Sequence, residues 1–246
     1  MSVIVDWSKS LSDNFEDVTL AYILRNIDKG FYIDVGANSP TQWSVTHLLY
    51  DQGWSGIDIE PHPMFAEHYK RSRPRDIYLQ LAVSDSKGSI PFYCSYWIQD
   101  GKSTNLSWCS SFDESVLKKI GVPFRKTNVL TDTLKNICSI YVKDKDIHLL
   151  KVDVEGHEQQ VLSSNDWNKY RPWVLIVEAK TEYAEQIENW GTFLLQNNYI
   201  FSYYDGFNRF YVAKEHSELL ENFKQPFNLP KKEIFNARVY PLIEGN

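Results

Sequence analysis

The sequence predicts an α/β protein with a doubly wound, mostly parallel sheet, and three observations carry that expectation. Short apolar runs alternate with segments of helical periodicity over most of the 246 residues. The runs stop at glycine, proline or acidic residues, as buried parallel strands do where they emerge from the core. Near the end, Tyr199 to Tyr204 and Phe210 to Val212 flank Asp205-Gly206-Phe207-Asn208, a hairpin turn that adds an antiparallel pair to the sheet.

Taken in order, residues 1–28 read as an N-terminal helical extension. Asp13 and Glu16 mark a helix start, and Phe15, Val18 and Tyr22 follow at helical spacing before Gly30. Phe31 to Val35 is the first strand and stops at Gly36. Ser44 to Gln52 is a helix with Val45, Leu48 and Leu49 on one face, closed by Gly53. Gly56 to Ile59 is the second strand, Pro63 to Arg71 the second helix and Ile77 to Val83 the third strand. Ser84 to Gly88 is a turn, and Ser89 to Trp97 alternates like an exposed strand. Residues 98–130 are polar, aromatic and irregular, so about 89–130 reads as a hairpin insertion over one end of the sheet, placed as a lid or substrate wall. The alternation resumes with a strand at Ile147 to Val154, a short helix at Glu158 to Ser163 and a strand at Trp173 to Val177. A long amphipathic helix follows at Glu182 to Gln196, with Ala184, Ile187, Trp190 and Leu194 facing in. The domain is expected over 29–214, with 215–246 as a tail packed on its surface.

Composition narrows the function classes. Hydrophobic residues are 43% and charged residues 24%, the balance of a soluble globular chain rather than a disordered or fibrous one. The longest purely aliphatic stretch, Val174 to Val177, is far short of a membrane span. The N-terminus has no long apolar run of the secretory kind. Cys94, Cys109 and Cys138 are odd in number and form no C-x-x-C pair, which predicts reduced thiols in a cytoplasmic protein, with neither disulfides nor a zinc site. With 26 basic against 32 acidic residues the net charge is −6, which disfavours nucleic acid as a partner. Aromatics, at 15% of the chain, suit both a core and stacking on sugars.

In an open parallel sheet, ligands bind at the carboxyl ends of the strands. Here those ends carry Asp34-Val35-Gly36-Ala37-Asn38, Asp58-Ile59-Glu60, Ser84-Asp85, Asp153-Val154-Glu155 and Glu178. So many carboxylates at one crevice repel one another unless a cation joins them, whether a sulfonium, an ammonium or a metal ion. Gly36 allows close backbone approach to a ligand or simply makes a turn. Glu60, 24 residues later, stands at the spacing of an acid that accepts hydrogen bonds from ribose hydroxyls. The loop Gly36-Ala37-Asn38-Ser39-Pro40-Thr41 has one glycine and not the G-x-G-x-x-G that cradles a pyrophosphate, so an adenosyl sulfonium fits better than a dinucleotide.

Four segments then become specific: Tyr32-Ile33-Asp34-Val35-Gly36-Ala37-Asn38, Gly56-Ile57-Asp58-Ile59-Glu60-Pro61, Ala82-Val83-Ser84-Asp85 and Leu150-Lys151-Val152-Asp153-Val154-Glu155-Gly156. From about Gly30 to Ala213 the chain resembles FkbM-type methyltransferases, which depend on S-adenosylmethionine and have the class I Rossmann-like fold. Ser39-Pro40 leading to Ser44-Val45-Thr46, the stretch Arg171-Pro172-Trp173 to Glu178, and Asp205 to Phe210 resemble a branch from bacterial polysaccharide and S-layer glycan clusters. The resemblance implies sheet order 3-2-1-4-5-7-6 with strand 7 antiparallel, and methylation of a hydroxyl on a sugar or glycan intermediate, in association with glycosyltransferases. It also implies that Asp34, Gly36, Ala37 and Asn38 line the methionine end of the cofactor and that Glu60 holds the ribose. Pro61 would border the adenine, and Ala82, Val83 and Ser84 would form its wall. Pro40 stands where the wider family usually has glycine, so the loop from Ser39 to Ser44 departs from the pattern.

For the chemistry, a strand persisting to Glu155 puts Asp153, Glu155 and His157 on one side, beside the expected methyl position. His157 is then the general base and a neighbouring carboxylate its orienting group; the competing reading is a helix-start cluster. Asp153 and Glu178 end adjacent strands and are candidate magnesium ligands, or Glu178 only neutralises a nearby lysine or arginine. Asn208 and Arg209 in the last hairpin, and Ser103 and Thr104 in the insertion, are candidate substrate contacts. Lys70, Arg71, Arg73 and Arg75 form either an anion-binding run or a solvated helix end. A small non-glycan acceptor, or a cofactor-binding module without catalysis, are the alternative functions.

Overall fold

The structure is a computed structural model that describes residues 9–99, 102–105, 107–180 and 184–224. In chain order the strands are β1 (Phe31–Val35), β2 (Ser55–Ile59), β3 (Ile77–Leu79), β4 (Ala82–Val83), β5 (Gly88–Gln99), β6 (Lys102–Asn105), β7 (Phe124–Asp132), β8 (Leu149–Val152), β9 (Val174–Glu178), β10 (Tyr199–Tyr204) and β11 (Asn208–Ala213). The helices are α1 (Glu16–Ile23), α2 (His47–Asp51), α3 (Ala66–Ser72), α4 (Glu114–Ile120), α5 (Leu134–Tyr141), α6 (Glu158–Ser163), α7 (Ala184–Gln196) and α8 (Leu220–Phe223).

Seven strands form a mixed sheet in the order β3-β2-β1-β8-β9-β11-β10. The contacts among β3, β2, β1, β8 and β9 are parallel, and β11 runs antiparallel to both β9 and β10. The labels depart from a consecutive 3-2-1-4-5-7-6 because four strands of another sheet, β4-β7-β5-β6, fall in the chain between β3 and β8. Counted within the large sheet alone, its strands stand in that sequence.

That second sheet is the main departure from the sequence reading. The single strand expected over Ile77 to Val83 divides: the Leu81 N–H turns back to the Leu79 carbonyl at 3.0 Å, and β4 leaves the large sheet to pair with β7. The region read as irregular contains β7, which pairs antiparallel with β5 from Gly88 against Thr131 to Ser95 against Phe124. Helix α5, absent from the sequence reading, starts at Thr133, whose side chain accepts the Asn136 N–H. Residues 225–246, with most of the expected tail, lie outside the described residues. Among the described residues no helix is long and apolar enough to cross a membrane.

The large sheet has two apolar faces because side chains alternate along each strand. Ile33, Val35, Ile57, Leu150, Val152, Leu175 and Val177 pack on one side with residues of α5, α6 and α7. On the other, Tyr32, Leu149, Val174, Ile176 and Phe210 meet Leu20, Ile23 and Leu24 of the N-terminal helix. Along that second face the alternation turns polar towards the carboxyl ends: Tyr32 is followed by Asp34, Leu149 by Lys151 and Ile176 by Glu178. The apolar pattern therefore delivers charged side chains to one end of the sheet.

Candidate active site

The bend after β1 is built by close backbone approach. Gly36 has φ +76, and a Cβ added there would lie 1.8 Å from the Asp153 carbonyl oxygen. The glycine thus makes room for the neighbouring chain after β8, a close approach that neither sequence reading, ligand approach or plain turn, had named. The amides of Gly36 and Ala37 both donate to the Ile59 carbonyl, at 2.9 and 3.1 Å. The Ala37 methyl packs against Phe65 and Tyr69. Asn38 is left-handed at φ +49, a conformation that asparagine tolerates better than most residues. Its N–H donates to Glu60 Oε2 at 2.9 Å, and its side-chain carbonyl accepts from Ser107 Oγ at 3.0 Å.

Glu60 is buried, and its other oxygen accepts the His62 N–H at 2.7 Å. Burial pushes its carboxyl up to about 7, although the two amides and Lys151 pull the other way. A carboxylate has about four acceptor positions, so two amides leave capacity for ribose hydroxyls. Pro61 is buried beside it. Ala82 packs with Phe92 and Val129, Val83 belongs to the main core, and the Ser84 amide donates to the Asp132 carbonyl at 3.0 Å. The His62 ring lies between Phe65 and Phe92, and its buried Nε2 has no hydrogen-bond partner among the described residues.

Asp34 does not face the crevice. It is 1% exposed and bound by Thr46 Oγ1 at 2.9 Å and Lys151 Nζ at 3.2 Å, so it anchors the bend from beneath. Lys151, which sequence reasoning missed, also reaches the Gly36 carbonyl at 2.5 Å and Asp153 Oδ2 at 3.6 Å. The basic run fits neither of its two readings as a unit. Lys70 and Arg71 are exposed, but Arg73 is buried and donates to the Pro40 carbonyl, Ser44 Oγ, Thr46 Oγ1 and Asp58. Arg73 thus fixes the loop that departs from the family pattern. Arg75 lies over the Tyr50 ring.

At the far side of the bend, β8 ends at Val152 and not at Glu155. Glu155 is left-handed at φ +55 and Gly156 follows at φ +99, so the strand alternation expected to align Asp153, Glu155 and His157 fails. Asp153, Glu155 and Glu178 come together instead, each with an oxygen within 4.8 Å of the others. Lys180 joins them: its ammonium pairs with Glu155 Oε2 and lies 3.2 Å from Glu178 Oε1. His157 stands at the N-cap position of α6 without a side-chain cap bond, its ring tilted 53° against Phe112 with centres 4.7 Å apart; burial lowers its pKa, against the pull of Asp113. The helix-start role falls to Glu158, which accepts the amides of Val154 and Gly156 at 3.2 and 3.1 Å.

The trio is electrostatically graded. Burial raises the Asp153 carboxyl, but Lys151 and Lys180 outweigh it and hold Asp153 below its ordinary value. Burial pushes Glu155 up to about 7, against the attraction of Lys180. Burial, then Asp153 and Glu155, pushes Glu178 up to about 10. Within the trio, Asp153 therefore gives up its proton most readily and Glu178 holds its proton most strongly.

The last hairpin differs from expectation. Asn208 is buried and donates to Glu16 Oε1 at 3.0 Å and Asp205 Oδ2 at 3.2 Å, so it ties the N-terminal segment to the hairpin and is not free for substrate. Arg209 lies over the Phe201 ring. Ser103 and Thr104 lie in β6, paired with Ile98 and Trp97 of β5.

A family model described as "Methyltransferase FkbM domain" matches residues 34–201. No curated protein matches the chain significantly. Among solved structures, precorrin-6y C5,15-methyltransferase from Geobacter metallireducens GS-15 aligns with a TM-score of 0.42 at 10% identity, over 87% of this chain and 94% of that one.

Proposed function

The chain belongs to the FkbM family of S-adenosylmethionine-dependent methyltransferases, and on that premise we propose that it methylates a hydroxyl oxygen of a sugar or glycan intermediate. The observation that carries the hydroxyl reading is the meeting of Glu155 with Asp153 and Glu178 at and just past the ends of β8 and β9, where burial raises the Glu155 carboxyl. A hydroxyl is a weak nucleophile until it sheds a proton, and a base with affinity near neutrality is matched to that task. The sugar is inferred from the resemblance of the loop and hairpin segments to the glycan branch and from the polar lining of the strand ends.

The residues present fit the cofactor. Glu60 keeps acceptor capacity for ribose hydroxyls, Asn38 and Pro61 flank it, and the unpartnered His62 Nε2 lies next to Phe92 on the side of Ala82. S-adenosylmethionine, when bound, supplies the electrophilic methyl group. Gly36 and Ala37 shape the bend beside its methionine end, while Ala82, Val83 and Ser84 form the adenine side. Glu155 takes the hydroxyl proton, and the ionised Asp153 favours positive charge at the transfer position. Residues 29–214 form the catalytic domain in this reading, with the second sheet as the wall of the acceptor site.

A magnesium ion on Asp153 and Glu178 is the alternative source of activation. The trio offers suitable oxygens, but Lys180 occupies two of its members, so the arrangement does not fit an ion as it stands. The test is methyl transfer from labelled S-adenosylmethionine to nucleotide sugars, lipid-linked glycans and small non-sugar alcohols, with and without chelator. O-methyl product on a sugar, insensitive to chelator, is expected. Turnover on non-sugar alcohols alone overturns the acceptor class, and activity lost to chelator and restored by magnesium overturns the lysine reading.

A further inference from the structure

We propose that Lys180 is the resident cation of this active site, a positioning residue that fills the place a divalent ion would take among Asp153, Glu155 and Glu178. The inference deepens the transferase reading, because it takes this cluster to be the transfer site.

The backbone builds the approach. The Ala179 N–H donates to the Phe207 carbonyl at 2.7 Å, which holds the chain against the last hairpin as it leaves β9. Ala179 is buried, so alternation brings Glu178 and Lys180 to the same side. From there the ammonium reaches Glu155 and Glu178 together. Glu155 arrives from the other direction, turned by its left-handed backbone out of the line of β8. The lysine therefore joins two segments that no strand pairing connects beyond Val152 and Val177.

An ammonium and a divalent ion satisfy the same need in exclusive ways. Three carboxyl groups with oxygens within 4.8 Å of one another repel as they ionise, and positive charge among them eases that repulsion. A lysine offers three N–H donors and no acceptor, and Lys180 uses donors on Glu155 Oε2 and Glu178 Oε1, two of the three groups an ion would need. A metal ligates at about 2.0–2.6 Å, which leaves no room for Nζ between the same carboxylates. Lys151 completes the arrangement from within the sheet, 3.6 Å from Asp153. The cation is thus encoded in the chain, fixed in place, and present whether or not acceptor is bound.

The experiment is titration with Mn²⁺ alone, read by calorimetry and by the electron paramagnetic resonance signal of free ion. It is run on the parent protein, Lys180→Met and Lys180→Arg. The parent and Lys180→Arg are expected to take up no ion at the cluster. Lys180→Met is expected to gain one site with a Kd of about 10⁻³ M or tighter, abolished by adding Glu178→Gln. Saturable binding of one Mn²⁺ by the parent, lost in a folded Asp153→Asn, overturns the proposal. A folded Lys180→Met that binds no ion overturns it equally. No acceptor is needed, so a wrong acceptor class would leave this result intact. A parallel readout is S-adenosylhomocysteine affinity, expected within threefold of parent in Lys180→Met, while methyl transfer falls at least tenfold.

Discussion

Lys151 Nζ lies 2.5 Å from the carbonyl oxygen of Gly36, so a buried side chain from the fourth strand of the large sheet holds the bend that follows the first. The same ammonium pairs with Asp34 at 3.2 Å. Support for that bend therefore comes from within the sheet, on the face where α1 and α2 lie, as well as from the loop itself.

Removing that ammonium leaves the Asp34 carboxylate buried with Thr46 as its remaining close partner. Lys151→Met is expected to destabilise the fold by about 3–5 kcal/mol, the usual cost of an uncompensated buried charge. The double variant Lys151→Met with Asp34→Asn should recover part of the loss, because it removes the orphaned charge as well. Urea unfolding of the two proteins checks this, and a double variant no more stable than the single one contradicts the pairing.

Gly36 is constrained twice, by a left-handed φ and by the Asp153 carbonyl 1.8 Å from any added Cβ. Gly36→Ala should cost about 2–4 kcal/mol. Gly53, also left-handed but with open space around it, is the control. Gly53→Ala should cost about 1 kcal/mol. Equal melting temperatures for the two variants would show that the close approach carries no weight.

Glu60 gives a pH dependence with a definite sign. Its carboxyl is raised to about 7, so the unliganded fold gains stability from it below pH 4.5 and loses that gain as pH rises through about 7. Ribose hydroxyls donate best to the ionised form, so cofactor binding should run the other way. The affinity for S-adenosylhomocysteine is expected to tighten about tenfold between pH 6 and 8. In Glu60→Gln that dependence should vanish along with most of the affinity. A parent protein whose affinity is flat across this range contradicts the ribose role.

In the proposed reading the general base is Glu155, not His157. Glu155 stands with Asp153 and Glu178, whereas His157 lies against Phe112. Glu155→Gln should slow single-turnover methyl transfer by about 10²- to 10⁴-fold. His157→Ala should lower the rate far less and chiefly loosen the packing of the second sheet on the first. The reverse ranking returns the role to the histidine.

What the sequence made legible follows from local periodicity. The strand at Phe31 to Val35 and the helix at Glu158 to Ser163 appear with their expected bounds, and the closing hairpin forms around Asp205 and Gly206. The pairing of β5 with β7 was not legible, because it joins segments some forty residues apart at one end and no local pattern encodes such a partner. Arg73, Lys151 and Lys180 were missed as site-building residues for a related reason. Basic side chains are ordinarily exposed, and only the fold brings carboxylates from other strands to them. The turn at Glu155 escaped because nothing in Asp-Val-Glu-Gly-His announces that glutamate, ahead of the glycine, takes a left-handed conformation.

The most direct test of the account is calorimetric titration of the parent protein and Glu60→Ala with S-adenosylhomocysteine and, separately, NADH. One saturable site for the sulfonium product on the parent, at least tenfold weaker in Glu60→Ala, with no uptake of the nicotinamide, is the result the account predicts. A parent that ignores S-adenosylhomocysteine, or that binds NADH at a site sensitive to Glu60, contradicts it.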